Sequence, residues 1–517
     1  MNRVRPWRVP VGLYVLALLI GAIAASRVTF PPTEVSAYVL GVARNLVEGR
    51  GLVSDAVWSY ASGPYILPRP AFDIWQPLPG LLAALPMAVA GTTFAAAQAS
   101  SILLGAALAP LTWWIARDAA ARNGLGGTRA TVVAVGAGIV AAAFGPFLTA
   151  MAGPDSFVPF TVFVVAGCAL MPRALQGGRW AGIGLGLALG LAYLSRQEAL
   201  WFGLAYLVLA LESRRTAVGA LRWPVLAGAL VAVPWIVRDA LTFGGGGLSQ
   251  TLENAWLRSN TDIFAFAQRP SLATFLAQGP GTILGHIAAG LAHDVVDVLL
   301  VAGAPVGIVG LVALVVLWKT PVLHVRSPLR ALLIGGGITF AVSSVVFPVA
   351  TLWGTFQHAD GPLLVALIVA TALGLDALVA RVRAWRGWSR ENAWLAPLAT
   401  LALSVPIAAL SVTLLAAGAT AEAGRMADLR AALPALDGPI VTDHPTWVSM
   451  TLDLPALARP AEDAASITRL GATFGAHWLL WLDDAAGPPP TGACLGEVAL
   501  PATAGGRLFR IAAGCQP

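Results

Sequence analysis

Thr29-Phe-Pro-Pro-Thr-Glu-Val-Ser-Ala-Tyr38 follows directly on the first apolar stretch, Val11 to Ala25, and leads through Ala43-Arg-Asn-Leu46 to Glu48-Gly-Arg-Gly51. A carboxylate, Glu34, stands where a membrane helix would emerge into water. Thr33 and Glu34 suit the start of a helix. The residues after them read as amphipathic, and the glycines at 49 and 51 form a turn behind them. This placement points to chemistry at a membrane surface.

The rest of the chain agrees with a membrane reading. Hydrophobic residues make up 57% and charged residues only 11%, with a mean hydropathy of +0.76, against about a quarter charged in a soluble domain. Apolar stretches of near-spanning length recur to Leu415, and eleven spans are expected, at about 11–25, 94–116, 130–151, 157–171, 181–194, 199–211, 223–237, 296–317, 331–348, 362–380 and 394–416. The basic head with Arg3, Arg5 and Arg8 lacks a convincing small-residue cleavage site, so the first span reads as an anchor. With the N-terminus in the cytoplasm, 18 of the 32 basic residues and only 4 of the 26 acids fall on the inner side. The pI of 9.7 then reflects this sorting and gives no support to nucleic-acid binding. Trp113, Trp114, Trp180, Trp223, Trp318 and Trp394 sit at span ends, as interfacial belts do.

The short, proline-broken stretch Pro77 to Ala90 would invert every later basic loop if it crossed, so it reads as a juxtamembrane or re-entrant helix on the outer face. The expected fold is thus a polytopic α-helical membrane domain, 1–418, with a first outer loop at 27–93 and a long outer loop at 238–295. A small extracytoplasmic α/β domain, 419–517, follows, with strand-like Pro439-Ile-Val-Thr442, His477 to Leu482 and Leu508 to Ile511 around a helix-like Ala464 to Phe474. Cys494 and Cys515 fall in that tail and Cys168 in a span, so a Cys494–Cys515 disulfide is expected, with two unlinked thiols as the other reading.

The order of elements resembles the GT-C superfamily of membrane glycosyltransferases, and within it the protein O-mannosyltransferase and aminoarabinose-transferase branch. The residues that carry the resemblance are Glu34, Ala43-Arg-Asn-Leu-Val-Glu-Gly-Arg-Gly51, Gln76-Pro-Leu78, Asp155 after the third span, Leu194-Ser-Arg-Gln-Glu198 and Pro234-Trp-Ile-Val-Arg-Asp239. It covers about Val11 to Asp239. The chain departs from the pattern at Thr33, where many relatives carry Asp before Glu, which leaves Glu34 alone or assisted by Asp55 or Asp73. It also lacks an Asp-x-Asp in the second outer loop, where Asp155 stands by itself.

The resemblance implies transfer of a hexose or pentose from a polyprenyl-phosphate-linked donor to an acceptor hydroxyl on the outer face of a bacterial inner membrane. The acceptor is a protein, lipid or glycan. Such a reaction needs a base for the hydroxyl proton, and Glu34 is the candidate, with Asp155 as the second catalytic acid. It needs positive charge on the leaving phosphate, for which Arg196, Arg238 and Arg44 are candidates, with Arg50 and Arg69 behind them, or else a divalent metal ion, with Asp155 as its one candidate ligand. Glu198, Gln76 and His358 are further site candidates. Each has a structural reading too: Glu34 and Asp155 as helix caps, Arg196 and Glu198 as an ion pair between helices, Arg238 as a snorkelling end residue, His358 as loop surface. His286 and His293, beside Asp294 and Asp297, make a weak metal signal. The run Gly244 to Gly247 follows no strand and lacks a Lys-Ser/Thr partner, so it reads as a hinge. A polytopic transporter or flippase of lipid-linked or envelope glycans is the rival class. Its usual internal repeats are not visible here.

Overall fold

The computed structural model describes residues 7–213, 217–244, 248–388, 392–482, 489, 492, 494–501 and 505–512. Arg3, Arg5, Arg214, Arg215, Gly245 to Gly247, Arg390 and Cys515 from the sequence reading lie outside the described residues. Among the rest, eight helices are long and apolar enough to cross a bilayer. They are Arg8–Ala25, Phe94–Arg122, Phe157–Leu175, Gly219–Phe243, Pro280–Val301, Pro328–Val346, Gly361–Arg386 and Leu395–Ala432. The pair Gly127–Ala142 and Gly145–Met151, bent by 46°, makes a ninth if counted as one span. Pro146 explains that bend, since it removes a ladder N–H and restricts the residue before it.

The eleven expected spans therefore do not map one for one. Arg179–Tyr193 and Ala199–Glu212 are helices of 15 and 14 residues, which at about 1.5 Å per residue fall short of a full hydrocarbon core. The stretch expected to cross at 296–317 is broken by a π-turn at Asp297–Val301 and a turn before Val306–Leu317. Its first part belongs to the apolar helix Pro280–Val296, so the supposed loop 238–295 contains much of a candidate span. A hydropathy window sees apolar length and not the break within it. The short helix Leu78–Ala90 is as expected brief and carries Pro86 inside. It packs Ala83, Ala84 and Met87 on Val39, Leu40 and Ala43 of the helix Glu34–Val47.

Charge sorting appears as geometry. Arg122 pairs with Asp118 and donates to the Arg326 carbonyl at 2.9 Å, Arg330 meets Glu212 at 2.8 Å, and Arg129 holds Asp376 at 2.6 Å. These basic loops share one end of the bundle, where Arg117, Arg173, Arg179, Arg222 and Arg386 lie over indole rings. Helices 179–193 and 217–243 touch backbone to backbone: a Cβ at Gly186 would come within 2.2 Å of the Pro224 carbonyl oxygen, so only glycine fits. The main core is continuous through these helices, with Phe144, Phe147, Phe160 and Phe202 fully buried.

Beyond the last span, the helix Leu395–Ala432 runs without interruption through the expected boundary at 418. The tail then builds a mixed six-stranded sheet in the order Ala56–Val57, Ala456–Ala458, Ile440–Thr442, Trp478–Leu482, Gly506–Ile511, Leu495–Val498. The first three pairings are parallel and the last two antiparallel. Its edge strand comes from the first outer loop, and Val57 and Tyr60 share a core with Val441, Leu457 and Leu479. The tail is thus stitched into the segment that carries Glu34.

Candidate functional site

Glu34 opens its helix because Thr33 is extended and its hydroxyl accepts from the Ser36 amide at 3.1 Å. The Glu34 carboxylate, mostly buried, turns toward the tail. His444 Nδ1 lies 3.1 Å from Oε1, the Thr446 amide donates to Oε2 at 3.1 Å, and the Thr446 hydroxyl also donates to Oε2. Thr446 belongs to the first turn of the helix Pro445–Leu452, where unpaired N–H groups favour an anion. Next to it, Trp447 Nε1 donates to the Pro31 carbonyl at 3.1 Å. Glu34 is therefore the post on which the tail docks. No spacing signal in the sequence links residues 410 positions apart, so His444 and Thr446 were not legible there.

The other first-loop charges pair among themselves. Arg50 forks onto Asp55 at 2.6 and 2.8 Å and holds Asn45 at 2.7 Å. Arg69, 1% exposed, meets Asp73 at 2.8 Å and donates to the Ser59 and Ser62 carbonyls. Burial pushes the Asp73 carboxyl up, against the pull of Arg69. Arg50 and Arg69 thus act as struts of the loop, and so do Asp55 and Asp73. Arg44 lies 3.9 Å from the exposed Asp453 of the tail. Gln76 is buried and its Oε1 has no protein partner. The following Leu78 amide ties the short helix to the Leu194 carbonyl at 2.8 Å.

Three loops meet around Asp155. Its Oδ1 accepts from the Ser156 amide, from Ser156 Oγ at 2.9 Å and from the Phe157 amide at 3.3 Å, so it binds the helix start from one residue ahead of the N-cap, which is Ser156 and not Asp155 as expected. It also faces His358 Nδ1 at 3.5 Å. Arg196 joins the group by donating to Ser156 Oγ at 3.2 Å, Glu198 at 2.6 Å and the Thr355 carbonyl at 3.2 Å, while its Nε is buried without a protein partner. Gly354, at φ +87°, makes the turn that presents His358. A Cβ at Gly153 would sit 2.9 Å from Ser36 Oγ, so this loop rests directly on the start of the Glu34 helix.

Burial would raise the Asp155 carboxyl, but His358, Ser156 and Arg196 together hold it well below the usual carboxylate range. Its contribution to stability is present above the ordinary carboxylate pKa of about 3.9 and is lost only as pH falls through the lowered native value. Infrared difference spectra between the wild type and Asp155→Asn should therefore show no protonated carboxyl band from this residue down to about pH 4. A band appearing near pH 5 would contradict the pairing.

Arg238 is paired with Asp239 at 3.0 Å and lies over Trp235 and Phe243 at 4.7 and 5.1 Å. Trp235, over which it lies, packs on Phe72 at 5.9 Å, which places Arg238 beside the first outer loop. His286 contacts Gln278, and His293 contacts Asp294, which is buried under Ser344 and Thr351. The sequence reading missed Asp360, fully buried ahead of the span Gly361–Arg386 with neither oxygen partnered. Burial, then Asp297 and Asp294, push its carboxyl far up. Among the described residues no three metal-ligating side chains converge. Around Asp155 stand one imidazole, the Ser156 hydroxyl and, bonded to that hydroxyl, the Arg196 guanidinium. Cys494 is buried and disulfide-bonded, and Cys168 is a buried free thiol.

Residues 70–237 match the family model for dolichyl-phosphate-mannose-protein mannosyltransferases, a segment that includes Gln76, Asp155, Arg196 and Glu198 but not Glu34. No curated protein matches the sequence. Among solved structures, ArnT from Cupriavidus metallidurans bound to undecaprenyl phosphate is similar at a TM-score of 0.54 and 13% identity, over 98% of this chain and 99% of that one. The apo oligosaccharyltransferase of Archaeoglobus fulgidus is similar at 0.56 and 12% identity, over 91% of this chain and 70% of that one. Residues 70–237 are thus similar to the mannosyltransferase family, and the fold of the chain is similar to that of ArnT and the archaeal oligosaccharyltransferase.

Proposed function

We propose that the protein moves a hexose or pentose from a polyprenyl-phosphate-linked donor to an acceptor hydroxyl at the outer face of the inner membrane. The observation that carries this reading is the meeting of the Asp155, Arg196 and His358 loops on the start of the Glu34 helix. The acceptor oxygen attacks the anomeric carbon, the bond from that carbon to the phosphate oxygen breaks, and the lipid phosphate leaves with the electron pair. Glu34 takes the hydroxyl proton. Arg196 meets the developing phosphate charge with guanidinium groups, aided by Arg44 and Arg238. The undecaprenyl phosphate bound to the structurally similar ArnT supports the same donor class. A second reading gives the proton to His358, whose Nδ1 Asp155 engages and whose side chain is partly exposed.

The test is transfer of labelled sugar from polyprenyl-phosphate donors by the purified protein in proteoliposomes, with and without chelator. Release of polyprenyl phosphate with a labelled product is expected, and sensitivity to chelator would assign a divalent ion a role. Movement of intact lipid-linked sugar across the vesicle without bond cleavage would instead make the protein a flippase.

A further inference from the structure

Five aromatic rings from four segments meet beside the candidate site. Tyr38, one turn after Glu34, lies 4.5 Å from Trp75; Trp75 lies 5.2 Å from Trp58; Trp58 lies 4.8 Å from Phe264 and 6.2 Å from Trp353; and Phe264 lies 5.5 Å from Trp353. The row thus starts on the Glu34 helix, passes the residue before Gln76, and ends on the loop whose later turn presents His358. Its outer end is open, with Trp353 44% exposed. The Trp353 indole N–H is held by the Asn260 side-chain oxygen at 2.7 Å, with the amide oriented to satisfy both its partners. The short 3-10 turn Asn260–Phe264 also forms part of a polar cleft of 310 Å³, lined by Arg258, Thr261, Asp262 and Gln268 against Glu462.

We propose that this row is a stacking platform for a saccharide acceptor, so that the acceptor hydroxyl belongs to a glycan or glycolipid headgroup; the assignment rests on the glycosyl-transfer reading above. A pyranose has one face of C–H groups, weakly positive, and a rim of hydroxyls. An aromatic face is weakly negative and attracts such a surface, and the neighbouring polar cleft offers donors and acceptors of both kinds to the rim. Rings of an interfacial belt stand on separate helices and face lipid, whereas these touch each other, and all but Tyr38 come from outside the long helices. An isoprenoid chain would have no use for the polar cleft.

The test uses the full-length protein in nanodiscs and a panel of methyl glycosides of hexoses, N-acetylhexosamines and pentoses, read by saturation-transfer difference NMR. At least one glycoside is expected to receive saturation on a single C–H face. Trp353→Phe should keep the signal, and Trp353→Ala should weaken binding about five- to tenfold without lowering the melting temperature. The signal should survive saturating polyprenyl-phosphate donor. No signal from any glycoside, or an equal signal in Trp353→Ala, overturns the platform; loss of signal on adding donor gives the rings to the donor sugar and overturns the acceptor assignment. Donor cleavage is assayed on the same wild-type preparation. Cleavage without glycoside binding removes this proposal alone, and absence of cleavage removes the glycosyl-transfer reading itself.

Discussion

Glu34→Gln is expected to lower sugar transfer by about 10²- to 10⁴-fold, the usual contribution of a positioned base, while leaving the tail docked. The two roles of Glu34 separate because glutamine keeps an oxygen that still accepts from the Thr446 amide and hydroxyl, both of which now meet the carboxylate. Thr446→Val supplies the complement. It removes one hydroxyl donor and leaves the carboxylate intact. If Glu34 is the base, Thr446→Val should retain most activity while hydrogen exchange rises in the helix Pro445–Leu452. If Glu34 only holds the tail, the two variants should lose activity in parallel with that loosening, and His358→Asn should then be the variant that abolishes transfer. Kinetics alone would confuse these cases, so exchange must be measured on the same samples.

Arg69→Met should be the most destabilising single change outside the spans, by about 3–5 kcal/mol, because it leaves a buried carboxylate without its partner. Asp73 then keeps its burial and loses the 2.8 Å contact, and the Ser59 and Ser62 carbonyls lose their donors. The damage should spread to the tail, since Tyr60 donates to the Ala458 carbonyl and the strand Ala56–Val57 pairs with Ala456–Leu457. Denaturant unfolding of the detergent-solubilised protein checks the magnitude, and exchange at 56–70 and 456–458 checks the route. The double variant Arg69→Met with Asp73→Leu should recover much of the loss. Unchanged stability in Arg69→Met, with weaker donor binding, would return Arg69 to the phosphate site.

Much of this protein is legible locally. Apolar length fixed that the chain is a helical bundle in a membrane, and the arginine count at span ends anticipated which loops would share an end. Thr33 before Glu34 reads as a helix start and is one, whereas Asp155 stands one residue ahead of its helix's N-cap, Ser156. These are free energies written into a few neighbouring residues: burial of a greasy stripe, a capped amide, a proline that cannot continue a ladder. Asp155, Arg196 and His358 were each visible as candidates, yet nothing in the sequence says that they meet.

The tertiary structure decided the rest. It broke 296–317 at a π-turn, drew a strand of the first outer loop into the tail sheet, and paired Arg69 with Asp73, which in sequence read as a phosphate ligand and a catalytic assistant. It also gave Glu34 its partners, His444 and Thr446, from the far end of the chain. A charge's partner depends on which loops the packed helices bring together, and that packing energy is summed over the whole bundle; a helix start depends only on the turn it caps.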